Sequence, residues 1–250
     1  MVDKIKVENC FRKSIDTYNA NATVQEKICS NLMELLYCPK HDKVLEIGCG
    51  TGFLTQAFLQ KYSPKKYIAN DLVADSKISV KKIFERMPNI DFSFVSGDAE
   101  KVEFESSNDL IISASTVQWF DNLPRFLQKA YNLLSPGGVL IFSTFGTDNL
   151  NEIRSACNSG LKYFSEKEIY DMVAEKFSVL EIKEEHHYLS FPKPLSVLRH
   201  MKLTGVNGNN KKIWQAKDFT EFDKKYRMLS KNQNDVTLTY NPVYVVAIKE

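Results

Sequence analysis

Between Lys43 and about Phe145 the chain alternates short, almost wholly apolar runs with longer helical stretches. Val44-Leu45-Glu46-Ile47 reads as a strand, and Phe53, Leu54, Ala57 and Phe58 form a helical stripe directly after it. Tyr67–Asn70, Phe92–Val95, Leu110–Ile112 and Val139–Phe142 continue the series, with a lysine-bearing helix near Ser76–Arg86. Strands that are apolar on both faces and separated by helices imply an α/β protein whose mostly parallel sheet is covered on both sides, with right-handed crossovers. That pattern excludes a helical bundle and an antiparallel sandwich.

The first strand runs into Gly48-Cys49-Gly50-Thr51-Gly52 and then a helix. Glycines in a strand–turn–helix context allow a tight turn and let a ligand lie against bare backbone. The spacing is G-x-G-x-G, not the dinucleotide G-x-G-x-x-G. Glu46 precedes the first glycine; a carboxylate there would repel a pyrophosphate but accept hydrogen bonds from an ammonium group. Asp71 ends the second strand about twenty residues beyond the loop, an offset suited to ribose hydroxyls. Asp98 follows the third strand and could accept from an exocyclic adenine amine. Taken singly, each acid could be a helix cap or a solvated loop charge. Three acids at successive strand ends point to a crevice for a cationic nucleoside.

Other features narrow the field by exclusion. Lys and Arg number 33 against 31 Asp and Glu, a net charge of +2, so nothing global favours nucleic acid or a membrane surface. Mean hydropathy is −0.30 and 43% of residues are hydrophobic, as in a soluble protein with a sizeable core. The longest stretch without charge, Ala130–Thr147, is interrupted by Ser135-Pro-Gly-Gly and cannot be a membrane helix. The N-terminus lacks the apolar segment of a secretory signal. Cys10, Cys29, Cys38, Cys49 and Cys157 are odd in number and contain no C-x-x-C pair. Neither a disulfide framework nor a zinc site is expected, and His186, His187 and His200 have no companions at ligand spacing. The expectation is a cytoplasmic monomer without metal.

One domain over residues 1–250 is expected. Residues 8–37 would form N-terminal cap helices, with Phe11, Ile15 and Tyr18 on one stripe and Val24, Ile28, Leu32 and Leu35 on another. Residues 43–191 and 236–248 would form the sheet core, with Val179–Phe191 and Val236–Ile248 pairing as an antiparallel edge. Ser165-Glu-Lys-Glu168 is a capping box opening a helix to about Lys176. Residues 192–233 would form a helical lid of two helices joined by Gly205–Asn210.

Glu46-x-Gly48-x-Gly50-x-Gly52, Asp71, Asp98 and Ser135-Pro-Gly-Gly138 together resemble the class I S-adenosylmethionine-dependent methyltransferases over roughly residues 43–145. The resemblance implies a seven-stranded Rossmann-like sheet with one antiparallel edge strand. It implies that Glu46, Gly48, Cys49, Gly50 and Gly52 meet the methionine part of the cofactor, Asp71 and Leu72 the ribose, Asp98 and Ala99 the adenine, and that Ser115 joins the cofactor site.

The flanks are similar to the biotin-pathway enzymes that O-methylate malonyl-acyl-carrier protein. That likeness rests on Phe11-Arg-Lys-Ser-Ile-Asp-Thr-Tyr-Asn19 with Val24-Gln25, on Gln118-Trp-Phe-Asp121, on Phe142–Gly146 with Leu150, and above all on Leu198–Asn207. The first two stretches are shared in looser form with trans-aconitate-type carboxyl methylases. The resemblance implies methylation of the free carboxylate of a malonyl thioester, on carrier protein or coenzyme A, to an ester that feeds pimeloyl and biotin synthesis. A carboxylic acid ordinarily titrates near pH ~4 and is ionised at pH 7, so no general base is required. Tyr18, Gln118 and Trp119 are the expected acceptor-side residues, with Arg199 and Lys202 on the lid; Arg199 would fork the malonyl carboxylate. An acidic carrier would meet Lys211, Lys212, Lys224, Lys225 and Arg227. Two alternatives stay open: a methylase of another small acid or quinone-type acceptor, and a non-catalytic binding module on the cofactor fold.

Overall fold

Strand β1 (Lys43–Ile47) is buried from Val44 onward and lies inside a seven-stranded sheet. The computed structural model describes residues 2–37, 41–206, 216–229 and 234–250. β1 pairs in parallel with β2 (Lys66–Asp71) on one side and β4 (Asn108–Ser113) on the other. β3 (Asp91–Ser96) extends the sheet past β2, and β5 (Leu134–Phe145) extends it past β4. The strand order therefore reverses between β1 and β4, which opens a crevice beyond their carboxyl ends.

The period of two along each strand sorts side chains between two layers. Val44, Tyr67, Leu110 and Ile112 share one apolar layer with Ile28 and Leu32 of α2 (Thr23–Glu34), Leu54 and Phe58 of α3 (Phe53–Leu59), and Val80 and Phe84 of α4 (Ser76–Phe84). Leu45, Ile47, Ile68 and Ile111 share the other with Phe126 and Leu127 of α5 (Leu123–Leu133) and Ile169 and Val173 of α7 (Glu166–Ala174). Asn122 caps α5 by accepting from the Arg125 N–H at 2.9 Å. The capping box at Ser165 and Glu168 forms, and the helix ends at Ala174, two residues short of expectation. Ser135-Pro-Gly-Gly enters β5, where the Gly137 N–H donates to Lys249 O at 2.7 Å.

Each of the two long C-terminal runs breaks in the middle. Val179–Phe191 divides into β6 (Ser178–Glu184) and β7 (His187–Phe191), and Val236–Ile248 into β8 (Val236–Tyr240) and β9 (Pro242–Ile248). The halves pair antiparallel as expected, but β6 with β9 in the main sheet and β7 with β8 in a two-stranded one. Asn241 makes the corner: its amide donates to Glu184 Oε1 (2.9 Å) and Glu185 O (3.0 Å), and its Oδ1 accepts from the Asp148 N–H (3.0 Å). The following Pro242 has no N–H to continue the ladder. The reversed strand is β9, which lies between β5 and the outermost β6.

The remaining helices frame the crevice. α1 (Lys4–Asn21) precedes the sheet, α6 (Asn151–Cys157) follows β5, and α8 (Pro194–Leu203) and α9 (Ala216–Leu229) stand between β7 and β8. Thr17 Oγ1 donates to Leu203 O at 2.9 Å, and His200 Nε2 meets the Tyr240 hydroxyl at 2.9 Å, so α8 is tied to α1 and to β8. Among the described residues no helix is long and apolar enough to cross a membrane.

Candidate active site

The glycine loop is held at its base by Asn70, whose carbonyl accepts from the Gly48 and Cys49 N–H groups at 2.8 and 2.9 Å. Gly48, Gly50 and Gly52 all have left-handed φ, +72°, +51° and +95°. A side chain at such a position costs about 1–2 kcal/mol. Their surroundings differ. A Cβ on Gly48 would lie 2.1 Å from Thr116 Oγ1, and one on Gly52 would lie 2.5 Å from Ile83 Cδ1, where α3 approaches α4. Nothing lies within 4 Å of a Cβ on Gly50. Gly48 and Gly52 are thus glycines for packing, and Gly50 faces open space. Gly48→Ala is expected to destabilise the fold by about 2–5 kcal/mol, strain plus overpacking, read as a lowered urea midpoint at unchanged m-value.

That open space belongs to a cavity with an empty volume of about 860 Å³ past the ends of β1, β2 and β4. Asp71, Asp98 and Ala99 stand in its wall with Gly48, Gly50, Leu72 and Ser115. Asp71 Oδ2 accepts from the Gly50 N–H and Oδ1 from the Val73 N–H, both at 2.7 Å. Burial raises the Asp71 pKa, and these two N–H groups, with the Ser76 hydroxyl, oppose the rise. Asp98 Oδ1 accepts from the Glu100 N–H at 3.1 Å and from Lys4 Nζ at 3.4 Å. Ser115 Oγ is buried without a hydrogen-bond partner among the described residues, and so is Asp98 Oδ2, which has only the Lys101 ammonium 3.7 Å away. Buried polar atoms are seldom left so, and both sit where a ligand's donors would arrive. Ser115 also holds φ +51° without being glycine, fixed by its N–H to Ser143. These residues fit a nucleoside with a polar tail.

α1 supplies the facing wall. Its stripe of Phe11, Ile15 and Tyr18, with Lys4 and Val7, covers the cavity rather than filling the core. Tyr18 also lines a smaller cavity of about 330 Å³ beside the loop, with Gln25, Cys29, Cys49, Thr51 and Ser115. The Tyr18 hydroxyl has its pKa raised by burial first, and is near Cys29 and Tyr240.

Two expected cofactor residues are not in either wall. Gly52 serves the α3–α4 contact just described. Glu46 points the other way because β1 alternates: it shares a face with Val44, inside the layer formed by α3. Glu46 Oε2 accepts from Thr55 Oγ1 at 2.6 Å and from the Tyr67 hydroxyl at 2.7 Å, fully buried. Burial pushes its pKa up from 4.5 to about 7, against the pull of those two hydroxyls. The folded state then keeps a proton that the unfolded chain releases between 4.5 and about 7, so stability falls as pH rises through that window. The fall should amount to roughly 3 kcal/mol and vanish in Glu46→Gln, as measured by unfolding at pH 4.5 through 8.

Trp119 lines this first cavity and also a second, of about 1420 Å³ empty volume, on the other side of α1. Its ring packs edge-on to Phe11 at 5.7 Å. Gln118 enters the second cavity too; its amide donates to Ser115 O at 2.5 Å and its Oε1 is buried without a partner. Leu198, Met201 and Lys202 of α8 lie in the same wall. Arg199 does not. It is exposed, about 100° around the helix from Leu198, so the expected carboxylate fork is absent from this wall. Tyr18 belongs to the first cavity and not to this one. Residues of this wall that sequence reasoning missed are Asn149, Arg154, Tyr163 and Tyr240.

Lys211 and Lys212 lie outside the described residues. Lys224, Lys225 and Arg227 are exposed on α9; Lys225 pairs with Glu221 at 2.7 Å and Arg227 with Asp223 at 2.8 Å. Among the described residues no group of three or more His, Cys, Asp or Glu could hold a metal ion.

Residues 45–142 match the family described as a methyltransferase domain. The chain is 36% identical over 251 residues to the malonyl-[acyl-carrier protein] O-methyltransferase of Chlorobium luteolum, covering 98% of this chain and 95% of that protein. It is 34% identical to the protein of the same name from Bacteroides thetaiotaomicron, over 100% of this chain and 99% of that one. Its fold is similar to the crystal structure of the N-methyltransferase NodS from Bradyrhizobium japonicum in complex with S-adenosyl-L-homocysteine, with a TM-score of 0.54 at 14% identity, over 89% of this chain and 86% of that one. With likeness of this extent at both ends of the chain as well as in the glycine-loop region, the chain belongs to the malonyl-[acyl-carrier protein] O-methyltransferase family.

Proposed function

We propose that the first cavity takes S-adenosylmethionine, the second takes a malonyl thioester on acyl-carrier protein, and the free malonyl carboxylate is methylated where the cavities meet at Trp119. The carrying observation is that shared wall: a nucleoside-type cavity with acids at strand ends abuts an apolar one rimmed by Lys6, Arg154 and Lys202. S-adenosylmethionine, when bound, supplies an electrophilic methyl group on a sulfonium. Asp71 would hold the ribose hydroxyls with the lone-pair capacity left after Gly50, Val73 and Ser76, and Asp98 Oδ2 the adenine amine. The bare backbone at Gly48 and Gly50, with Thr51 and Ser115, would face the amino-acid part.

The protein's task is positional. A carboxylate is already a nucleophile at pH 7, so the walls need only hold it in near-attack geometry and exclude water, for which effective molarities of roughly 10⁵–10⁸ M are available. Phe11, Ile15 and Tyr18 close the donor side and Trp119 the junction. An acidic carrier protein would approach over the exposed Lys224, Lys225 and Arg227 of α9, beside Phe219 in the second cavity's wall. The assay that tests the reading offers malonyl-, succinyl- and acetyl-carrier protein with labelled S-adenosylmethionine. Malonyl-carrier protein should gain label and acetyl-carrier protein none. Absence of label on the malonyl substrate overturns the assignment.

A further inference from the structure

The cations around the second cavity are not equivalent. Lys202 is exposed on α8, whereas Arg154 on α6 is half-buried beside Asn149, Leu150 and Tyr240, all of them buried. The Arg154 guanidinium is fixed from two directions. Its Nη1 donates to Thr147 O at 2.7 Å and Asn149 O at 3.2 Å, and its central carbon lies 5.3 Å from the centroid of the Tyr163 ring. Gly160 leaves room for the side chain: a Cβ there would stand 2.4 Å from Arg154 Cγ and 3.1 Å from Cδ. Asn158 at φ +47° closes the helix that carries it with a left-handed cap common for asparagine, whereas Leu150 opens it at φ +53°, a conformation rare for a bulky side chain. Backbone strain of this kind persists where the surroundings impose it and clusters at ligand clamps.

What the arrangement lacks is an anion. Among the described residues no carboxylate lies within ion-pair distance of Arg154, and its fixed nitrogen meets only neutral carbonyls. A guanidinium in a mostly apolar cavity is short of charge compensation, and the edge formed by Nε and Nη2 matches a carboxylate in a planar fork.

We infer that Arg154 anchors the acceptor's free carboxylate and selects acidic from neutral acyl groups. The inference rests on the carboxyl-methylating reading above and names the residue that gives it specificity. An acetyl thioester would leave the fork unpaired. Methylation removes the charge that Arg154 holds, so the anchor binds substrate more tightly than product and favours release of the ester. For the same reason its contribution falls on KM more than on kcat.

The test is steady-state kinetics on the full chain with malonyl- and acetyl-carrier protein, beside calorimetry with S-adenosylmethionine. Arg154→Ala should raise KM for the malonyl substrate by about thirtyfold or more. It should also reduce the preference for malonyl- over acetyl-carrier protein as a competitor, and leave S-adenosylmethionine affinity within about twofold. Added guanidinium ion should restore part of the rate, which a purely structural role would not allow. Arg154→Lys, which keeps the charge and the place over Tyr163, should raise KM by about tenfold and carries the test if the alanine variant fails to fold. Unchanged KM in either folded variant overturns the anchor while leaving the functional reading intact. A wild-type chain that methylates no malonyl thioester overturns both.

Discussion

Gly50→Val should give a folded protein that no longer binds S-adenosylmethionine. The loop has room for the new Cβ, since nothing lies within 4 Å of it, and the substitution bears left-handed strain at φ +51° of about 2 kcal/mol, at the upper end because valine is β-branched. The valine methyls would instead occupy the space between the loop and the α1 wall, where the ligand is proposed to lie. Gly48→Ala, one position removed in the pattern, fails in the opposite manner by striking Thr116. The pair separates a glycine kept for a ligand from a glycine kept for packing. Calorimetry beside urea unfolding decides it: a valine variant that titrates like wild type would show that the loop does not face the cofactor.

Asp71→Ala should be more damaging than the loss of two ribose contacts. The Asp71 carboxylate already receives the Gly50 and Val73 N–H groups, each at 2.7 Å, so its removal strands two backbone donors and releases the loop. Stability should fall by about 2–4 kcal/mol, and cofactor affinity should fall beyond detection in the same titration. Asp71→Asn keeps one acceptor oxygen and should recover about half of the stability loss. Equal stability of wild type and alanine variant would place the loop's support elsewhere, with Asn70 the next candidate.

The sheet was legible because its central strands β1, β2, β4 and β5 are mostly buried on both faces, which leaves apolar runs too short for helices between turn signals and helical stretches. The glycine loop was legible because left-handed φ needs glycine. The breaks at Glu185-His186 and Asn241 were not, since each is only one or two polar positions inside a run that reads as a single strand. Asn241 ends its strand through bonds to Glu184, Glu185 and Asp148, partners that only the fold brings near. The sequence held no sign that Glu46 turns inward, since Val44, Leu45 and Ile47 are all buried; the hydroxyls of Thr55 and Tyr67 that receive it are brought near only by the fold. Periodicity found the stripe of Phe11, Ile15 and Tyr18 but could not say whether it faced core or ligand. Its place in the lid segment singles out Arg199 in the sequence, whereas the arginine in the cavity wall comes from α6. Nothing in the chain order links that helix to α8; the β8 strand beside it does.

An adenosyl donor and an acidic acyl acceptor are proposed to meet at Trp119. The most direct measurement is the intact mass of malonyl-acyl-carrier protein after incubation with the chain and S-adenosylmethionine, before and after mild base. The expected result is a gain of one methyl group that base removes, because an ester hydrolyses. An unchanged mass, or a methyl group that survives base and so sits on carbon or nitrogen, would contradict it.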